Sequence, residues 1–288
     1  MSMTAKMLVV MVVLFAGPAA VYSSEKNSNL PGPSAQVIDE NKKEVPVVSP
    51  ESSEIAVSTA PQVGERTNID KLSDPDPMVR RNAIIYLGSE KKKSSVARLL
   101  IMLDDENAEV RRAAINALAA IGDSRAAGPL MDKFKKETNI NIKMNIIIAL
   151  GELKSAAAIP LLKTVLKDPY PAFRNEAVHA FGKINSVETY KDIVGMLNDE
   201  AEGVRVRAAD VVGKLKLRSA ETLLIKNLKD PVAVVRQACA KAMGEVGQVS
   251  SMVELEKLLE DKNESVVAAA KDAIEKIRKR SAEKKTSK

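Results

Sequence analysis

Tryptophan is absent from this sequence, and aromatic residues make up only 3% of it. An aromatic-lined ligand pocket or a base-stacking platform has almost no material to be built from. A single cysteine, Cys239, excludes an intramolecular disulfide. With only one histidine, His179, beside it, no Cys/His metal cluster can be assembled. Gly-rich phosphate loops and nucleophile-elbow motifs are missing as well. The apolar run from Met7 to Ala16 falls short of the about 20 residues that a membrane-spanning helix needs. These gaps lead to the expectation of a non-catalytic protein without cofactor or metal.

The net charge of +6 is not spread along the chain. Residues 271–288 hold eight bases and three acids, Lys6 adds one more positive charge, and residues 24–270 are neutral. A neutral body argues against nucleic acid as a partner. The basic end, from Lys276 to Lys288, is either a solvated terminus or a contact for an anionic polymer or membrane surface.

What the chain does contain is a repeat. An apolar residue recurs at Val79, Val110, Ile142, Phe173, Val204, Val235 and Val266, in steps of 31 residues with one step of 32. Five residues before each anchor stands an acid: Asp74, Asp105, Glu137, Asp168, Asp199, Asp230 and Asp261. A base follows six of the seven: Arg80, Arg111, Lys143, Arg174, Arg205 and Arg236. Four and eight residues beyond each anchor come further apolar residues, which is one face of a helix with period 3.6. Gly follows at the ninth position in five repeats, as a close-packing or helix-ending residue. A second helix is expected in each repeat, capped by a Ser near its start (Ser94, Ser124, Ser155, Ser186, Ser219, Ser250), with Leu or Ile at offset 20 and Leu or Phe at offset 24. The pattern predicts an all-α, right-handed α-solenoid of about six and a half to seven two-helix repeats. Lys271 and Val267 replace the apolar and basic contacts of the last repeat, so that helix reads as a polar cap. A short apolar segment around Ile69 and Leu72 reads as a truncated cap at the other end.

Upstream of the repeats, residues 1–23 read as a secretory signal with Lys6 in the n-region. Cleavage is placed after Ser23, with Ala19 or Ala20 as alternatives, and an uncleaved anchor is the competing reading. Residues 24–65, interrupted by Pro31, Pro33, Pro46, Pro50 and Pro61, read as a disordered linker. The solenoid is then assigned to 66–280 and a basic tail to 281–288. This organisation implies export to the periplasm or the extracellular space.

The acid, the anchor and its following base, together with runs such as Val110-Arg111-Arg112-Ala113-Ala114, resemble HEAT repeats over residues 66–280. The short period resembles the compact bacterial HEAT-like repeats, including the phycobilisome-lyase type. The resemblance implies a structural ladder of hydrogen bonds and ion pairs, assigned to Asp74/Arg80, Asp105/Arg111, Asp168/Arg174, Asp199/Arg205 and Asp230/Arg236. A carboxylate or anion-binding row is the alternative role for these residues. Glu137/Lys143 departs from the pattern and coincides with the 32-residue step, so irregularity is expected there. Chromophore-lyase activity fits poorly with a signal peptide, because attachment is cytoplasmic in that family, and the His-Glu pairs of the iron-binding HEAT hydroxylases are missing.

The resemblance further implies that the anchor helices line the concave side. Offsets 2, 3, 6 and 10 are expected to face outward, which nominates a partner-binding ridge of Arg81, Asn82, Ile85, Arg112, Asn116, Met144, Asn145, Ile148, Asn175 and His179. Ile85, Met144 and Ile148 stand where solvent alone favours polar residues. The competing reading buries Ile146, Ile147 and Ile148 together in a wider core. His179 is a plain surface residue or a polar contact, and Cys239 is a buried packing residue. The chain is thus read as a monomeric, exported scaffold or adaptor for a protein partner.

Overall fold

A computed structural model describes residues 67–286, which contain thirteen α-helices and no strand. The segments read as signal peptide and linker lie outside the described residues. Seven helices carry the anchors: α1 (Pro77–Ser89), α3 (Ala108–Ile121), α5 (Ile140–Glu152), α7 (Pro171–Ile184), α9 (Glu202–Leu215), α11 (Ala233–Val246) and α13 (Glu264–Thr286). Between them run six short outer helices: α2 (Val96–Ile101), α4 (Ala127–Lys136), α6 (Ile159–Val165), α8 (Tyr190–Gly195), α10 (Glu221–Asn227) and α12 (Met252–Glu256). The result is an all-α solenoid of six helix pairs and a final single helix.

Each anchor helix starts where a short polar side chain replaces the missing backbone acceptors. Asp76 Oδ1 accepts from the Met78 N–H at 2.8 Å, and Asn107 and Asn139 do the same for α3 and α5. In α7, α9 and α11 the capping position is Tyr170, Ala201 or Val232, with no side-chain cap of its own. There the ladder acid two residues earlier accepts that residue's N–H at 2.9 Å.

The second helices begin differently from expectation. Ser155 and Ser186 make no capping bond, and the other nominated serines lie in or beside short 3-10 turns. The i→i+3 backbone bonds of these turns satisfy the first free N–H groups, so no hydroxyl is required. In the second repeat Asp123, not Ser124, accepts from the Arg125 N–H.

The core follows the repeat. Offsets 4, 5 and 8 are buried in the first six repeats, and the Leu or Ile at offset 20 is wholly buried in every outer helix. Offset 24 is buried as far as Leu228. In the last pair Leu258 turns inward instead and Leu259 is exposed, beside a 3-10 turn four residues long.

The recurrent Gly is a close-packing residue rather than a helix end. A Cβ on Gly88 would stand 2.8 Å from Ala117 Cβ, and one on Gly151 would stand 2.9 Å from Ala180 Cα. The helices end a few residues later, in left-handed positions at Gly122, Asn185 and Lys216. Anchor helices therefore pack directly on one another, while each outer helix packs mainly on the anchor helix that follows it.

The last helix bears out the polar cap: Lys271 and Glu275 are exposed. The first repeat has a corresponding device. Offsets 3, 7 and 11, which elsewhere face the preceding repeat, are Asn82, Tyr86 and Glu90, all exposed. Leu72 is buried beneath this end, whereas Ile69 is not. Residues 281–286 continue α13 instead of forming a separate tail.

Candidate functional site

The ladder runs between repeats, one step out of register with the within-repeat pairs drawn from the sequence. The Arg80 guanidinium forks onto the Asp105 carboxylate at 2.8 and 2.9 Å and donates its third bond to the backbone carbonyl of Asp74. Arg174 repeats the arrangement with Asp199 and the Asp168 carbonyl, and Arg205 with Asp230 and the Asp199 carbonyl. Arg236 closes the series on Asp261, with its third bond on the Asp230 carbonyl. Arg111 forks onto Glu137 and bonds the Asp105 carbonyl. So Glu137 belongs to the ladder in full. Lys143 does not: its ammonium lies 4.6 Å from the Phe134 ring centre, and among the described residues no side chain joins it to Asp168. Burial pushes the Asp105 carboxyl up, but the Arg80 fork, the Asn107 N–H and the charges of Arg80 and Arg111 outweigh it and hold the group below the usual range. These groups are buried against their own partners, which makes the row a fastening between repeats.

The solvent-facing stripe of the anchor helices runs along offsets −1, 2, 6 and 10. Offset 3 belongs elsewhere: Ala113 and Ala238 are buried, and Asn145 is half-buried between neighbouring anchor helices. The reason is coverage. An anchor helix is flanked by two other anchor helices as well as an outer helix, so its buried arc is wider than a single amphipathic face. Asn82 and Asn145 therefore leave the ridge, and Asn82 is exposed on the end face. Offset −1 joins it, contributing Met78 and Val234, 65% and 52% exposed. The 3- and 4-residue steps from −1 to 2 to 6 were the available sequence signal.

Ile85 and Ile148 are 48% and 39% exposed, while Ile146 and Ile147 are wholly buried, so the isoleucine run divides between core and surface. Met144 is half-buried against the core. Asn116 is exposed. Asn175 is occupied: its amide donates to the Gly203 carbonyl at 2.8 Å and accepts from Arg207 at 3.2 Å. His179 is half-buried with Nδ1 3.4 Å from Glu176 Oε2. Arg112 pairs with Glu109 on its own helix. Arg81 has no acidic partner among the described residues.

Between α1 and α3 the ridge opens into a groove of about 350 Å³. Its floor is Gly88, Ala113 and Ala117, small because the two helices touch there. Between α5 and α7 the same face is crossed by a Lys183–Glu152 ion pair at 2.9 Å, and between α7 and α9 by the Asn175 bonds. Among the described residues no side-chain bond crosses it between α1 and α3.

The basic end is less free than its composition suggests. Lys276 pairs with Glu245 and Asp272, each at 3.1 Å. Arg280 donates to the carbonyls of Gly244, Glu245 and Gly247, which closes the C-terminal end of α11. Cys239 is wholly buried, and burial pushes its thiol up to about 12. No group of three His, Cys, Asp or Glu side chains among the described residues could hold a metal ion. No described helix is long and apolar enough to cross a membrane.

A family model described as HEAT repeats matches residues 66–141, 129–205 and 193–275. Protein YibA of Escherichia coli is 37% identical over 100 residues, 34% of this chain and 35% of YibA. An uncharacterized phycocyanin operon protein Z of Pseudanabaena tenuis is 27% identical over 111 residues, 36% of this chain and 54% of that protein. The chain thus spans between about a third and about half the length of these relatives. Among solved structures, the X-ray structure of YibA superposes with a TM-score of 0.52 at 25% identity, over 73% of this chain and 80% of that one. The CpcE–CpcF complex of phycocyanin lyase from Nostoc gives 0.47 at 20% identity, over 79% and 100%.

Proposed function

This chain belongs to the HEAT repeat family, and on that premise we propose that it is an exported scaffold or adaptor that holds a protein partner along the ridge of its anchor helices. The observation that carries the reading is the exposure of Met78, Ile85, Ile148 and Val234 among polar residues on the ridge. A regular stack presents such groups at fixed spacing on a stiff support, so an extended partner meets several weak contacts at once. Action by binding rather than catalysis agrees with the buried thiol of Cys239 and with the scarcity of His and Cys. Polar stripes at both ends of the stack, Asn82-Tyr86-Glu90 and Lys271-Glu275, favour a monomer. Export to the periplasm or the extracellular space rests on the leader composition of residues 1–23.

The test is co-purification from native extract with the full chain as bait, beside an Ile85→Ser, Met144→Gln, Ile148→Ser variant. A second variant changes Lys279, Lys284, Lys285 and Lys288 to Gln. Truncation at Lys276 is avoided because it would remove buried Ile277 and the Arg280 clasp. A partner retained by the lysine variant and lost by the ridge variant, with helicity unchanged, supports the reading. Retention by the ridge variant and salt-sensitive loss by the lysine variant would transfer the function to an anionic-surface contact.

A further inference from the structure

The groove between α1 and α3 differs from the rest of the ridge in charge. Three bases line it, Arg81, Lys91 and Arg112, against one acid, Glu109. That acid is already paired with Arg112, which leaves the Arg81 guanidinium without a carboxylate. Beside Arg81, one turn further along α1, Ile85 forms an apolar wall, and the floor of Gly88, Ala113 and Ala117 offers no polar side chain. An unpaired guanidinium next to an apolar trough is complementary to one combination: a carboxylate adjacent to an aliphatic side chain. The groove lies open to solvent between α1 and α3, and Arg81 and Ile85 stand about 6 Å apart along α1, which matches the about 6.6 Å between alternate, same-face side chains of an extended segment.

We propose that this groove is the specificity-determining pocket of the ridge, and that it takes an extended segment of a partner protein in which Asp or Glu stands two residues from Leu, Ile or Val, so that both side chains face the groove. The carboxylate is held by Arg81 and the aliphatic side chain rests on Gly88, Ala113 and Ala117 against Ile85. This assignment rests on the ridge being the binding surface and narrows it to a sequence preference. The regular joints further along give it contrast: Lys183 and Glu152 neutralise each other across α5 and α7, and the groove of about 410 Å³ beside Asn175 is lined by Glu176 and by no base.

The experiment is selection of displayed random linear peptides on the full chain, in parallel with Arg81→Glu, Ile85→Ser and Lys241→Glu. Lys241 is exposed at the same offset as Ile85, four repeats beyond the groove's second helix, and its reversal makes the same change in net charge as Arg81→Glu. The expected result is enrichment of an acid and an aliphatic residue separated by one residue on the native chain and on Lys241→Glu. For the enriched peptide, fluorescence anisotropy should show affinity about tenfold weaker on Arg81→Glu, as for loss of a charged hydrogen-bonded contact, and weaker binding at high salt. No enrichment, a basic or aromatic motif, or equal enrichment on Arg81→Glu would overturn the proposal. An Asp39→Ser, Glu40→Ser chain is run as well, because Val37-Ile38-Asp39-Glu40 carries the same chemistry at the same spacing. Enrichment that arises only on that variant would show the chain's own segment in the groove and overturn a foreign occupant. The two readings separate cleanly: loss of a natural partner with Ile148→Ser but not with Arg81→Glu keeps the ridge and removes the groove.

Discussion

From α7 to α13 every joint between anchor helices carries two devices, an Arg fork onto the next acid and a Gly pressed against Val211, Ala242 or Ala273 of the next helix. The α1–α3 joint has both as well. On either side of α5 each joint has one. Between α3 and α5 the Gly position is Ala119, yet the Arg111–Glu137 fork is made. Between α5 and α7 Gly151 meets Ala180, yet Lys143 makes no fork. The devices are therefore separable, and the stack continues on either. Glu in place of Asp is also explained: with the extra residue in that step and Ala119 in the Gly position, an acid one methylene longer reaches the guanidinium, at 3.0 and 3.3 Å.

Acid should expose the comparison most strongly, because it discharges several joints together. The Arg236 fork holds the Asp261 carboxyl below its ordinary 3.8, despite burial. Burial raises Glu137, but the Asn139 N–H and Arg111 outweigh it and hold the group below 4.5. Asp105 is lowered likewise. A carboxyl whose folded pKa lies below its unfolded value contributes stability above the unfolded value and loses it as pH falls through the folded one. The denaturation midpoint should thus be flat at neutral pH and fall below about pH 4.5. Arg236→Ala should show less of that fall, and an unchanged pH profile in this variant would deny the fork its role.

Next in size is the removal of one fork. Arg174 and Asp199 side chains are 7% and 5% exposed, so Arg174→Ala leaves a buried carboxylate unpaired at a cost of about 3–5 kcal/mol. Lys143→Ala, in the joint without a fork, should cost only about 0.5–1 kcal/mol for the lost contact with Phe134. Hydrogen exchange resolved along the chain is the suitable measurement, since a repeat array can open one end at a time. Equal losses would mean that the fork and the cation–ring contact are interchangeable.

Glu137→Asp tests the length argument directly. The shortened acid should lose one limb of the Arg111 fork and cost about 1–3 kcal/mol. Adding Ala119→Gly, which lets α3 and α5 approach, should return part of that loss. A double variant no more stable than Glu137→Asp would show that spacing does not set the acid's length.

Much of this was legible in the chain. The period, the buried offsets and the polar last helix are written as residue types at fixed distances, and Ile85 and Ile148 stand out against them. Register between repeats was not legible. A carboxylate fork from Arg80 to Asp74 and one from Arg80 to Asp105 would recur with the same period, so periodicity cannot choose; nearness in sequence favours Asp74, which supplies its backbone carbonyl while Asp105 supplies the carboxylate. Nor could the pattern show that Asn175 is occupied, because its partner is the backbone carbonyl of Gly203. Asn145 was misplaced because one-face reasoning counts a single packing partner, whereas a solenoid helix has three.

The smallest expected change is a gain. Lys143 occupies the fork position, and Asp168, 25 residues on, already accepts the Tyr170 N–H at 2.9 Å as the other ladder acids accept theirs. Gly151 brings α5 and α7 into the close approach found at the complete joints. Everything the fork needs is present except the planar donor, which an ammonium cannot mimic. Lys143→Arg should therefore complete the ladder and raise stability by about 0.5–1 kcal/mol, the modest figure reflecting the desolvation that offsets a buried pair. Slower exchange of the amides at the start of α7 should accompany the shift. If Asp168→Asn abolishes the gain, the new arginine has found its intended acid. If the gain persists, the arginine stabilises α5 by other means and the fork is not the missing part.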